Sequence, residues 1–159
     1  MNIELWSDFT CPYCYIGKRR LEMALEQLGI ANEASIEFKS YQLDGDLVEN
    51  KEMNILDHFK NKYNLRLDEV TEYVEEIERQ AKEVNLIYNY TNMKQQSTFD
   101  AHRLVKYAYE KGKGEVMTER LLKAYFVEAA EISKHDVLLN LAKEIELDQE
   151  EVINLLRLN

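Results

Sequence analysis

Cys11 and Cys14 flank Pro12 and Tyr13, and these are the only two cysteines and the only proline in 159 residues. Two thiols at this spacing can open a foreign disulfide. One sulfur attacks as the thiolate, and the other resolves the mixed disulfide that results. Cys11 reads as the nucleophile and Cys14 as its resolving partner. Other uses of the pair fit poorly. A structural zinc site needs four ligands, and no third cysteine exists, while His58, His102 and His135 lack ligand-type spacing. Covalent haem attachment would need histidine at position 15, where Tyr15 stands, and an iron–sulfur cluster needs more cysteines. A purely structural bridge across so short a loop would remove little unfolded-state entropy. The pattern therefore favours a working dithiol, with no metal.

The elements around the pair must hold Cys11 at a helix start. Asn2 to Trp6 alternates, with Ile3 and Leu5 on one side, as a strand does. Leu21, Ala24, Leu25 and Leu28 follow helical spacing, Pro12 suits the first helical position and Gly29 follows the last turn. Unpaired amides and the helix dipole at that end stabilise an anion, which lowers a CxxC thiol from about 8.5 toward roughly 3.5–7.5. This predicts that Cys11 is the easily ionised sulfur. Ser35 to Leu43 reads as a second strand, making a βαβ unit over residues 1–45 with parallel strands, one face covered by Leu21, Leu25 and Leu28.

From about residue 51 the period is helical, giving a lobe over 46–159 within one compact domain. A short helix is expected at Ile55–Tyr63, then a longer one capped by Asp68 with Val70, Tyr73, Val74, Ile77, Ala81 and Val84 as its apolar stripe. Leu86 to Gln96 reads as an extended loop. Ser97 with Asp100 resembles a capping box for a helix ended by Gly112 and Gly114, and another helix should span about Val116–Ala130. Ser133 with Asp136 and Asp148 with Glu151 mark two further helix starts.

Composition narrows the partners. With 30 acidic against 20 basic residues and net charge −10, the surface should repel phosphate backbones and anionic membranes, so no nucleic-acid or membrane partner is expected. Glu4 stands where a signal peptide wants basic residues, and no run reaches the roughly 18 apolar residues of a membrane span. A cytoplasmic location is the expectation, and there an isolated CxxC is reactive more often than structural.

Three segments carry a family resemblance in order: Ser7-Asp8-Phe9-Thr10-Cys11-Pro12-Tyr13-Cys14-Tyr15-Ile16-Gly17-Lys18, then Tyr41-Gln42-Leu43, then Ser97-Thr98-Phe99-Asp100-Ala101-His102-Arg103-Leu104. The chain resembles the DsbA-like thioredoxin-fold proteins. Within them it is similar to the FrnE-type branch related to 2-hydroxychromene-2-carboxylate isomerases and kappa-class glutathione transferases. The resemblance implies an α/β fold: a thioredoxin-like βαβ start with a large helical insertion, and dithiol–disulfide exchange on protein or small thiol substrates. Cys11 carries over as attacking thiolate, Cys14 as resolver, and Pro12 with Tyr13 as the dipeptide that tunes redox poise. No cofactor is implied, and glutathione is a candidate substrate or reductant. The isomerase and transferase relatives place serine at the Cys11 position, which argues for the oxidoreductase and leaves a glutathione-dependent enzyme as the alternative. Relatives continue into two more strands and a cis-proline loop, so the C-terminal strands are expected to be missing here. Self-association through the exposed sheet edge is a corresponding expectation. A non-catalytic client-binding module is the reading from another class.

Several residues near these motifs have simpler roles. His102 is expected to be a helix histidine satisfied by its neighbours, Arg103 and Asp100 an ion pair, and Lys18 and Arg19 a solvated helix face. Trp6, Phe9, Tyr13 and Tyr15 are candidates for an apolar rim, with core packing as the plainer use. Glu72, Glu75, Glu76 and Glu78 read as the wet side of a helix.

Overall fold

The computed structural model describes residues 1–45 and 53–158. The chain opens with strand β1 (Asn2–Ser7), helix α1 (Pro12–Gln27), a 3₁₀ turn (Ala31–Glu33) and strand β2 (Ser35–Ser40). The strands are parallel, with Asn2 opposite Ser35 and Ser7 opposite Ser40, and among the described residues they are the whole sheet. A parallel pair requires a crossover, which α1 supplies. Gly29 enters the left-handed region at φ 70°, where a side chain would be strained, and turns the chain back toward β2. Strand β2 ends at Ser40, three residues before the expected Leu43: Tyr41 N–H makes a last bond to the Ser7 carbonyl at 3.0 Å, and Leu43 N–H then turns to the Asp8 carboxylate.

The sheet-facing side of α1 differs from expectation. Leu25 is buried, but Leu28 is 70% exposed, and the inward face near the helix start is Pro12, Tyr15 and Ile16. Tyr15 and Ile16 lie against the helical lobe, which claims the side of α1 that the leucine spacing alone would have put outside.

The lobe begins with α2 (Ile55–Tyr63), whose Asn54 side chain accepts the Leu56 N–H at 2.8 Å. Helix α3 (Leu67–Glu83) buries Val70, Val74, Ile77 and Ala81. It starts one residue before Asp68, and the cap contact is the Glu69 carboxylate accepting the Arg66 N–H at 2.7 Å. Helices α4 (Phe99–Glu110), α5 (Gly114–Phe126), α6 (His135–Glu144) and α7 (Gln149–Arg157) follow. Asp148 caps α7 through the Glu151 N–H at 2.9 Å, as its spacing predicts. The Ser97–Asp100 box does not form: Thr98 is the residue before α4, Ser97 Oγ accepts the Phe99 N–H at 3.3 Å, and Asp100 is held by Arg103 and His135. Helix α6 likewise starts after Lys134 without a side-chain cap, and α5 ends at Phe126 rather than Ala130.

One apolar cluster spans both parts of the chain, joining Phe9, Tyr15, Ile16 and Phe38 to Ile77, Tyr88, Leu104, Leu121 and Phe126. Gly114 makes part of this junction. A Cβ there would meet the Tyr109 ring at 2.2 Å, so glycine lets the ring lie on α5 while Tyr109 Oη accepts the Phe38 N–H at 2.8 Å. Lobe and strand β2 are thereby pinned together.

Candidate functional site

The dithiol lies where β1 hands over to α1. Cys11 has extended backbone angles (φ −86°, ψ 108°) and caps α1, Pro12 is the first helical residue, and Cys14 N–H closes the first turn on the Cys11 carbonyl at 3.1 Å. Proline fits because its missing N–H would have had no helical partner. Cys11, Pro12, Tyr13 and Cys14 therefore share one turn, as expected from their spacing. The cysteines are not bonded to each other, and both are partly exposed.

The two sulfurs share a proton. The Cys14 thiol is pulled down to about 6, first by the hydrogen bond from Cys11 and then, against burial, by the Ser7 hydroxyl and the Asp8 backbone N–H. Cys11 is pushed up, first by that same hydrogen bond, then by burial and the Cys14 charge, although the Cys14 and Tyr13 amides face its sulfur and favour an anion there. This differs from the expected low value at Cys11. The helix start does supply its amides, but a neighbouring thiolate outweighs them, and the first ionisation belongs to the pair rather than to either residue.

Three groups around the pair carry no cysteine chemistry of their own but shape it. Asp8, 2% exposed, accepts from Phe9 N–H (2.8 Å) and Leu43 N–H (2.7 Å), pairs with His102 Nε2 (2.9 Å) and is also bonded to Thr98. Burial opposes its charge, but these partners prevail and hold the carboxyl below its usual range. The buried Ser7 hydroxyl has no hydrogen-bond partner of ordinary geometry among the described residues, and the Cys14 sulfur is the group it acts on. Tyr88 Oη donates to the Pro12 carbonyl at 2.9 Å. His102 is thus only half satisfied as expected: Nε2 is held by Asp8, which adjoins the dithiol, while the buried Nδ1 has no hydrogen-bond partner among the described residues.

Tyr88 falls in the segment Leu86 to Gln96, for which the sequence predicts an extended loop. The structure gives that loop an alternation, with Leu86, Tyr88 and Tyr90 inward and Ile87 outward, so a two-residue period was the signal available. The role of Asp8 is not legible in the sequence, because nothing local marks it as buried. Phe9 and Tyr15 are core residues, whereas Trp6 is 63% exposed on the opposite sheet face from Leu5. Lys18 and Arg19 are not a solvated face: both bind Glu119, Lys18 at 2.8 Å, and Tyr15 Oη donates to the same carboxylate at 2.6 Å.

A cleft of about 100 Å³ opens beside Cys11. Tyr13, Phe59, Tyr63, Tyr73 and Tyr125 form its aromatic walls, and His58 and Lys62 stand on its lining with Asp44, which Lys62 contacts at 2.6 Å. Cys14 does not line it. Among the described residues no three His, Cys, Asp or Glu side chains converge as a metal would need, and no helix is long and apolar enough to cross a membrane.

A parallel strand pair bridged by a helix that starts at a CxxC, with a helical lobe inserted after it, defines the DsbA-like thioredoxin fold. The family model of the DSBA-like thioredoxin domain matches residues 2–158, and the chain belongs to that family. The match is to the family as a whole and singles out no branch within it. Among solved structures, the probable DsbA oxidoreductase SCO1869 from Streptomyces coelicolor superposes with a TM-score of 0.91 at 29% identity, covering 98% of this chain and 67% of that one. YwbO of Bacillus subtilis (strain 168) is 24% identical over 149 residues, 93% of this chain and 68% of its own length.

Proposed function

We propose that the chain is a thiol–disulfide oxidoreductase acting through Cys11 and Cys14 on protein or small-molecule disulfides, with glutathione as one candidate reductant. The observation that carries this is the placement of Cys11 at the first turn of α1, on the wall of an aromatic cleft, with a second thiol one turn along sharing its proton. Family membership and a relative titled as a DsbA oxidoreductase support the same reading.

The steps balance as follows. In the first step the proton between the sulfurs passes from Cys11 to Cys14, and the Cys11 thiolate attacks a substrate disulfide, forming Cys11–S–S–R and releasing the other half as a thiolate. That departing thiolate takes up the Cys14 proton. Cys14 then attacks Cys11, expelling the second substrate thiolate and leaving the Cys11–Cys14 disulfide. Two electrons have moved from dithiol to substrate, and the reverse sequence oxidises a substrate dithiol. Cys11 takes the first step because it faces the cleft while Cys14 is turned toward Ser7 and Asp8.

Insulin reduction by the intact chain and by Cys14→Ser tests the assignment. The variant should stall as a mixed disulfide through Cys11, visible as a mass adduct removed by reductant. Turnover that survives Cys11→Ser, or an adduct on another residue, sinks the assignment.

A further inference from the structure

The Pro12–Tyr13 peptide unit is gripped at both ends. Its carbonyl accepts from Tyr88 Oη at 2.9 Å, and its N–H, on Tyr13, faces the Cys11 sulfur. We propose that Tyr88 is a positioning residue for the dithiol, orienting and polarising this peptide so that the Tyr13 N–H becomes a stronger donor to the Cys11 thiolate. The inference rests on the reading of Cys11 and Cys14 as a working dithiol.

The physical basis is amide conjugation. A hydrogen bond to a peptide carbonyl draws charge toward oxygen and makes the N–H across the C–N bond more acidic, so bonds along the chain strengthen one another. Tyr88 is well placed to hold that geometry. The residue is 5% exposed, its ring stacks on Phe126 at 4.5 Å and lies near-parallel to Tyr15 at 6.3 Å. Burial, followed by the nearby Tyr15 and cysteine charges, pushes its phenol up, so it remains a donor throughout the first thiol ionisation. The loop that carries it thereby reaches the first turn of α1 through a single hydroxyl.

Other groups face the sulfurs and do not substitute for it. Asp8 and Ser7 act on Cys14, Tyr73 from α3 adjoins Tyr13 and feels the Cys11 charge, and His102 reaches the pair only through Asp8. The cleft cation Lys62 is occupied by Asp44, beside His58.

Tyr88→Phe keeps the ring and removes the donor. The first thiol ionisation, read from thiolate absorbance against pH, should rise by about half a unit to one unit, with unchanged circular dichroism. The equilibrium with glutathione should shift by a corresponding factor of about three to ten toward the oxidised protein, because the reduced thiolate has lost stabilisation. Tyr90→Phe is the control: that buried hydroxyl has no partner and lies in the neighbouring ring at 5.9 Å, so both readouts should stay put. A Tyr88→Phe protein with an unmoved titration and equilibrium overturns the proposal, as does an equal effect from Tyr90→Phe. On the unaltered protein, the Tyr13 amide proton should shift in nuclear magnetic resonance with the midpoint of thiol ionisation. An amide that ignores the ionisation overturns the proposal even if the variant does not fold. Absence of exchange activity alongside the expected titration would strike the proposed function and leave the role of Tyr88 standing.

Discussion

Helix α1 carries two clusters of ionisable groups barely a turn apart, and only the first has the open arrangement on which the proposed exchange chemistry rests. At its start, Cys11 and Cys14 share a proton beside a cleft of about 100 Å³. Further along, Tyr15, Lys18, Arg19 and Glu22 converge with Glu119 from α5, next to a cavity of about 360 Å³. Perturbed ionisation occurs at both: burial and Glu119 push the Tyr15 phenol up, while Lys18 and Tyr15 hold the Glu119 carboxyl down against burial. In the second cluster every charge already has its counter-charge, so nothing gains by changing state. In the first, one proton serves two sulfurs. The larger cavity lies beside the closed network, and the smaller one beside the open pair. Ionisation shifts mark a reactive site only where a group retains a second state to move into.

The comparison breaks most sharply under substitution. Cys11→Ser should lower insulin reduction by more than about a thousandfold, since the nucleophile itself is gone, whereas Glu119→Gln should leave the rate within about twofold. Comparable losses from both would show that the two clusters work as one.

Asp8 tests what supports the open pair. Asp8→Ala strips an acceptor from Phe9, Leu43, His102 and Thr98, all in a buried setting, and should cost about 3 kcal/mol of stability by urea unfolding. The sign of its pH dependence follows from the lowered carboxyl. The charged form contributes stability above the ordinary aspartate value of 3.8, and that contribution is lost as pH falls through the lower folded value. The wild-type urea midpoint should therefore drop more steeply below about pH 4 than that of Asp8→Asn. Parallel curves would mean that His102 and the two amides do not bind the charged form preferentially.

The pair itself should titrate near neutrality. With one thiol drawn to about 6, thiolate absorbance of the reduced protein should rise with that midpoint, and alkylation by iodoacetamide should follow the same curve. For the reduced protein the linkage runs with pH. A lowered thiol contributes stability that is present above the ordinary value of 9.0 and is lost as pH falls through about 6. A single midpoint near 9 would mean that the helix start and the shared proton do nothing.

Much of this architecture is legible in local sequence, and the exceptions share a cause. The strand before the cysteines, the helix beginning at Pro12, the span Ile55–Tyr63, the stripe on α3 and the Asp148 cap rest on interactions within a few residues. The misread features depend on distant partners. Ser97 and Asp100 have the spacing of a capping box, but Asp100 binds Arg103 at 2.7 Å and His135 at 2.8 Å instead. Lys18 and Arg19 look like wet residues until Glu119, a hundred positions on, comes into view. Asp8 and Tyr88 shape the dithiol from 94 and 76 positions away from their partners His102 and Pro12. The paired thiols are thus readable from four residues, while the contacts that fix Asp8 and Tyr88 beside them are tertiary.

The smallest effect expected is also the one that separates the two clusters most cleanly. Glu119→Gln keeps the shape and the acceptor oxygen while removing the charge that holds Lys18 and Arg19. The carboxylate is about a third exposed, its side chain at 31%, so solvent screens the pair and the loss should be near 1 kcal/mol. Because α1 and α5 are also joined by the packing of Tyr15 against Phe126, the helix should remain docked and the sulfurs should stay in register. Stability should therefore fall slightly while the thiol midpoint stays where it was. A midpoint that moved with Glu119 would mean that charge in the middle of α1 reaches its first turn, and the division between a closed structural network and an open reactive pair would have to be abandoned.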